Sequence, residues 1–206
     1  MSTPTPPAYP AAPTNLTCEY MVNPLGMDER APRFSWWLND PRPGARQTAW
    51  QIRVRQVAPA VDLWDSGIVH SDQTAHIAYG GVPLRSRQQA VWQVRTWDAD
   101  GQPSPWSAPA TFEMGLLEPT DWSGQWISLP IEGEYPLCGP ATYLRRRFEI
   151  DRPVHRARLY ITARGWYQPW LNGQRIGQDL LTPGWTDYRI RIRYQTYDVT
   201  EHLRAG

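Results

Sequence analysis

The chain has 206 residues, 41% of them hydrophobic and 20% charged, which is enough to bury a core as one large domain or two ordinary ones and excludes wholesale disorder. Its 21 basic residues, every one an arginine, face 20 acidic ones, and the formal charge of +1 excludes both a nucleic-acid binder driven by phosphate neutralisation and a polybasic membrane anchor. No apolar run reaches the ~18 residues of a spanning helix, so no membrane partner is expected.

The N-terminus, MSTPTPPAYPAAPT, lacks the basic and apolar regions of a secretory signal. Residues 1–13, rich in Pro, Ala and Thr, offer little to a core and are expected to form a disordered, Pro-rich arm. Cys18 and Cys138 lie far apart and make no Cys-x-x-Cys pair, so a reducing compartment, the cytoplasm, is expected.

From Leu16 to about Leu117, short alternating segments are separated by turn clusters. Ala49–Arg55 reads as a strand with Ile52 and Val54 on one face. Ala90–Trp97 repeats the style, with Trp92, Val94 and Thr96 pointing one way and Gln93 and Arg95 the other. Asn39–Gly44 and Asp98–Gly101 read as turns. No helix-period segment of useful length intervenes, and strands at this spacing predict an antiparallel sandwich over 14–119.

A second unit is expected over 120–206. Arg156–Ala163 reads as a strand, with Leu159 and Ile161 on one face and Arg158, Tyr160 and Thr162 on the other. Asn172-Gly173 is the strongest hairpin signal in the chain, because a type I′ turn needs positive φ at both central positions. It joins Trp166–Leu171 to Gln174–Ile176, and Pro169, having no N–H to donate, marks the first arm as an edge or a bulge.

The aromatic set is skewed, with 12 Trp and 10 Tyr against 3 Phe. Trp and Tyr carry a polar group that wants a partner, so they suit half-buried sheet faces, and such faces also stack on sugar rings. Recognisable chemistry is otherwise sparse. There is no Gly-rich phosphate loop and no nucleophile elbow, and His70, His76, His155 and His202 are scattered, so no metal ligand is expected. Asp98-Ala99-Asp100-Gly101 begins like a calcium loop but lacks its later ligands and reads as a tight turn. A glycosidase needs two facing carboxylates, and none of Glu113, Glu118, Glu132, Glu134 and Glu149 sits in a pocket motif.

Several stretches taken together resemble the N-terminal region of bacterial α-L-rhamnosidases, family 78 of the glycoside hydrolases. In the first unit these are Asn23-Pro-Leu-Gly26, Pro32-Arg-Phe-Ser-Trp36, Arg46-Gln-Thr-Ala-Trp-Gln-Ile52, Leu63-Trp-Asp-Ser-Gly67, Trp92-Gln-Val-Arg-Thr-Trp-Asp98 and Phe112-Glu-Met-Gly-Leu-Leu117. In the second they are Ala157–Ala163, Leu171-Asn-Gly173, Pro183-Gly-Trp-Thr-Asp187 and Tyr194-Gln-Thr-Tyr-Asp-Val-Thr200. The resemblance implies an all-β chain. A fibronectin type III-like sandwich would be followed by the first part of a jelly-roll, galactose-binding-like sandwich, whose unpaired edges would leave it marginal alone.

The resemblance also implies what the chain does. In that family the acidic residues that cleave terminal α-L-rhamnosides with inversion lie in an (α/α)₆ barrel downstream. The expectation is therefore a non-catalytic front end, truncated before the barrel, with no catalytic residue of its own and the downstream domains as partners. A second expectation is a stand-alone module binding L-rhamnose or rhamnosides, with calcium as a cofactor by family analogy only. Its surface is assigned to Trp166, Tyr167, Trp170, Trp185 and Tyr188, with Asn172, Asp179 and Asp187 as hydroxyl partners. A third is a fibronectin-type interaction module, with Ser104-Pro-Trp-Ser107 as a receptor-like patch.

Overall fold

Period-two alternation builds the first unit. In strand β6 (Gln89–Trp97), Ala90, Trp92, Val94 and Thr96 are buried, and the residues between them are only half-covered. The computed structural model describes residues 10–129 and 141–205. Residues 1–9 of the expected arm, together with Glu132, Glu134 and Cys138, lie outside the described residues. The chain divides into two units, Met1–Asp121 and Trp122–Gly206.

The first unit is a sandwich of two antiparallel sheets. One has the order β1 (Ala11–Cys18), β2 (Arg33–Asn39), β5 (Ile77–Ala78). The other has the order β4 (Val61–Asp65), β3 (Ala49–Gln56), β6, β7 (Ala110–Glu113). Strands β3 and β6 pair without a break from Ala49 opposite Trp97 to Gln56 opposite Ala90, which fixes the register of the larger sheet. The core lies between the sheets. Phe34 of β2 brings its ring to 4.4 Å from Trp92 and 5.8 Å from Phe112, with Ile52, Val54 and Val94 fully buried around them. Trp36 is buried too, and its indole N–H donates to Gln47 Oε1 at 3.0 Å. Gln47 in turn donates to the carbonyls of Ser71 and Gln73, so this polar pair carries no unmet bond into the core.

The expected arm needs one correction. Strand β1 begins at Ala11, so residues 11–13 are strand, with Ala11 opposite Asn39 and Pro13 buried. A proline is tolerated there because β1 is an edge strand with interrupted register, where its missing N–H breaks no ladder.

The outer face of the larger sheet is closed by a stack of rings and guanidinium groups. Arg95 lies 4.9 Å from the ring of Trp97 and 4.8 Å from that of Trp106, and Arg53 lies 4.8 Å from Trp106 as well. Arg95 also donates to Gln51 Oε1, and Arg53 to Asp65 Oδ2, so both cations are anchored. Ser104 and Ser107 hold Trp106 in place along the edge of β6. Their N–H groups donate to the carbonyls of Thr96 and Val94, and their hydroxyls accept the N–H groups of the same two residues.

At the end of β6 the Asp98–Gly101 turn forms as expected, with Gly101 at φ +72°. Asp98 Oδ1 accepts the N–H groups of Asp100 and Gln102, while Arg42 bridges Asp98 at 2.7 Å and Asp40 at 2.6 Å.

In the second unit β8 (Arg158–Ile161) pairs antiparallel with β11 (Gln195–Asp198), and β9 (Trp170–Leu171) with β10 (Gln174–Arg175). Asn172 and Gly173 have φ of +51° and +78°, the I′ geometry read from the sequence. Both expected strands are shorter than predicted. β8 covers only the centre of Arg156–Ala163. The hairpin's first arm starts at Trp170 because Pro169 contributes a carbonyl alone, accepting from Ile176 N–H at 2.9 Å. Among the described residues of this unit, the buried core hydrophobics are Ile176 and Val199.

Two outcomes are expected. Trp106→Ala removes a half-buried ring and two cation–π contacts, and should lower the stability of the first unit by about 2–3 kcal/mol in urea denaturation. The Arg42 guanidinium holds the carboxyls of Asp40 and Asp98 below the usual carboxylate range. A depressed folded-state pKa stabilises above the unfolded value of roughly 4 and stops doing so as pH falls through the folded one. The stability lost in Arg42→Ala should therefore be full at pH 7 and shrink below about pH 4, read from denaturation midpoints at both ends.

Candidate functional site

The eight residues singled out in the second unit do not form one cluster. Trp185 and Tyr188 meet, with ring centroids 5.8 Å apart and planes tilted by 40°. Trp185 is 75% exposed, and Tyr188 is pinned beneath it because its hydroxyl accepts the N–H of Gly165 at 2.8 Å. That bond places Trp166, also exposed, one residue from the pinned pair. The loop carrying Trp185 is set by the Pro183-Gly184 turn, where Gly184 sits at φ +91°.

Tyr167 and Asp179 belong to a second group, half-buried at Tyr167 and Tyr197 and exposed at Asp179, that packs loop residues onto β11. Tyr167 O–H donates to Gln195 Oε1 at 2.6 Å, and its backbone exchanges bonds with Thr182, whose carbonyl accepts the Tyr167 N–H and whose hydroxyl donates to the Tyr167 carbonyl. Tyr197 O–H donates to Asp179 Oδ2 at 3.0 Å. Burial pushes both phenols above their ordinary pKa, with the Asp179 carboxylate adding to the effect at Tyr197. Gly177 is needed beside them, since a Cβ there would collide with the Tyr197 ring.

The remaining expected residues are used locally. Asn172 donates from Nδ2 to the His202 carbonyl at 2.8 Å. Asp187 accepts the backbone N–H, Nε and Nη2 of Arg189, which lowers its carboxyl pKa. Trp170 stands exposed on β9. Sequence reading missed Tyr197, Gln195, Thr182 and Gly177. The signal for the first two was present, because Gln195 and Tyr197 are two apart on one strand and share a face.

The acids considered for catalysis fare differently from one another. Glu113 is 1% exposed within the sandwich, Glu118 pairs with Arg30 at 2.7 Å, and Glu149 is exposed. Near the aromatic surface Asp187 is turned to Arg189 and Asp179 to Tyr197, and no three His, Cys, Asp or Glu gather among the described residues. Ser104-Pro-Trp-Ser107 is spent on the sheet edge, with both serines buried. No helix among the described residues is long and apolar enough to cross a membrane.

Residues 13–118 match the family model described as Rha78A-like, N-terminal immunoglobulin domain, and residues 152–206 match the alpha-L-rhamnosidase N-terminal domain. An alpha-L-rhamnosidase of Formosa agariphila is 41% identical over an alignment of 198 residues that covers 91% of this chain and 21% of that protein. The structure of an alpha-L-rhamnosidase from Dictyoglumus thermophilum superposes with a TM-score of 0.86 at 36% identity, covering 95% of this chain and 24% of that one. That of Aspergillus terreus gives 0.78 at 33% identity, covering 95% and 22%. The chain thus spans between a fifth and a quarter of the length of these relatives.

Proposed function

The chain belongs to the α-L-rhamnosidase family, and from that premise we propose that it serves as the non-catalytic N-terminal region of an enzyme that hydrolyses terminal α-L-rhamnosides with inversion. The observation that supports this most is that both matched segments, 13–118 and 152–206, correspond to domains described as N-terminal in rhamnosidases. The carboxylates agree with it. Inversion needs two of them facing each other about 6.5–9.5 Å apart, whereas Glu113 is enclosed by the sandwich and Glu118 is held by Arg30.

In this reading the first unit is a self-sufficient mount and the second is completed by other polypeptide of the same enzyme. The second unit exposes Trp126, Ile127, Tyr143, Leu144, Phe148 and Leu180, an apolar set that a free-standing domain of this size would cover. Limited trypsin digestion should cut first at the exposed Arg145-Arg146-Arg147 run and leave a resistant fragment that contains the whole first unit and ends at Arg145, since no basic residue lies between Arg95 and Arg145. Equal survival of the two units would count against this division of labour.

The exposed, pinned Trp185–Tyr188 pair favours a second reading, in which this surface stacks on the C–H face of a rhamnose ring. Isothermal titration of the chain with L-rhamnose, with and without calcium, beside a rhamnosidase assay, separates the possibilities. Saturable heat without turnover, lost in a folded Trp185→Ala variant, supports the sugar surface. Absence of both heat and turnover leaves the mount alone. Turnover by the chain itself overturns the non-catalytic reading.

A further inference from the structure

The last residues of the first unit are held by bonds that neither its core nor its outer face supplies. After β7 the chain passes Met114–Leu117 and closes in a single 3₁₀ turn, Pro119–Asp121. Glu118, Pro119 and Thr120 are all exposed, so no apolar burial anchors the turn. Polar contacts do so instead, and they converge on Ser86. Its hydroxyl accepts the N–H of Leu117 at 2.9 Å and donates to Asp121 Oδ2. The same carboxylate oxygen accepts the N–H of Glu118 at 2.9 Å.

The neighbours of Ser86 reinforce this arrangement. Arg87, held at φ +61°, donates from Nη2 to the Asp121 carbonyl at 2.6 Å, and its Nη1 lies 3.9 Å from Asp121 Oδ1. Its backbone N–H donates to the Gly115 carbonyl. On the solvent side Arg30 donates to the Leu117 carbonyl at 2.8 Å and to the Glu118 carboxylate at 2.7 Å, with both side chains more than half exposed. These groups line a cleft of about 350 Å³ shared with Leu84 and Arg85.

We propose that Ser86 and Asp121 form a latch that holds residues 117–121 as a fixed extension of the sandwich rather than a free linker. Only Leu117 of this segment packs, half-buried, against the core, and the exposed Glu118-Pro119-Thr120 that follow have the composition of a flexible connection. They are ordered here because one serine hydroxyl acts as both acceptor and donor, and one carboxylate oxygen receives both that hydroxyl and an amide. Removing either side chain breaks the chain of bonds at its centre. Removing Arg30 takes away only contacts that water can replace.

Hydrogen exchange of the whole chain at neutral pH tests this. Ser86→Ala and Asp121→Ala should each speed exchange at Leu117 and Glu118, by about tenfold or more where the lost acceptor is the Asp121 carboxylate and by about fivefold where it is the Ser86 hydroxyl. Amides of β3 and β6 should keep their protection in both variants. Arg30→Ala should change the same two amides by less than about threefold, the effect expected of a surface ion pair. Unchanged exchange in both latch variants overturns the proposal. So does an equal loss of protection throughout the first unit, or an effect of Arg30→Ala as large as that of Ser86→Ala.

Discussion

The contact between Phe34 and Trp92, 4.4 Å from ring to ring, joins the two sheets of the first unit, and most of what surrounds it follows from where it puts β6. With Trp92 facing inward, the pleat turns Ala90, Val94 and Thr96 inward as well and sends Gln93, Arg95 and Trp97 to the other face. The inward set makes the core with Ile52, Val54 and Phe112. The outward set supplies the Arg95 guanidinium, which lies over both Trp97 and the ring of Trp106 from the loop that follows β6. A slip of one residue would exchange these roles, burying Arg95 and exposing Trp92, so the sequence of β6 specifies both faces at once.

How much of this could be read beforehand depends on how local the cause is. The alternation in β3 and β6 is written within eight or nine residues, and so is the Asn172-Gly173 turn, whose two positive φ values belong to the dipeptide itself. Strand β1 was hidden because its composition, Ala-Ala-Pro-Thr, is that of a tail. Its pairing comes from β2, more than twenty residues away, and from an edge position that forgives proline. The Arg53–Trp106–Arg95 stack is non-local in the same way. The outward arginines were visible, but nothing in Ser104-Pro-Trp-Ser107 says that its serines will copy a strand's hydrogen bonds and lay the ring between them.

The aromatic surface shows the same rule applied to chemistry. Residue type picks out rings and carboxylates as kinds of group that can meet a sugar, but type does not say whether a group is already engaged. Asp187, receiving three N–H groups of Arg189, and Asp179, receiving the Tyr197 hydroxyl, have part of their accepting capacity filled from within the chain. Asn172 is likewise engaged by the end of its own unit. Trp185 differs because the face of an indole is not consumed by the contact with Tyr188 along one side. A ring that is fixed from beneath and open above loses little freedom when something stacks on it, whereas these carboxylates have fewer accepting sites left to offer.

The two units also differ in what keeps them folded. The first gathers seventeen buried apolar side chains into one cluster, and Gln47 and Asp98 are hydrogen-bonded around it, while the indole N–H groups of Trp50 and Trp92 and the Thr96 hydroxyl are buried without a partner. The second has Ile176 and Val199 buried among its described residues and holds its loops with side-chain hydrogen bonds such as those of Tyr167, Thr182 and Tyr197. Hydrogen bonds of this kind contribute about 1 kcal/mol each after exchange with water, while each fully buried aliphatic or aromatic side chain contributes about 1.5–3 kcal/mol. A unit assembled mainly from the former needs more apolar surface covered to be stable. The exposed Leu144, Phe148, Leu180 and Ile190 are the surface available for that. Among the described residues, the sandwich thus carries its stability mainly as apolar burial and the second unit mainly as hydrogen bonds.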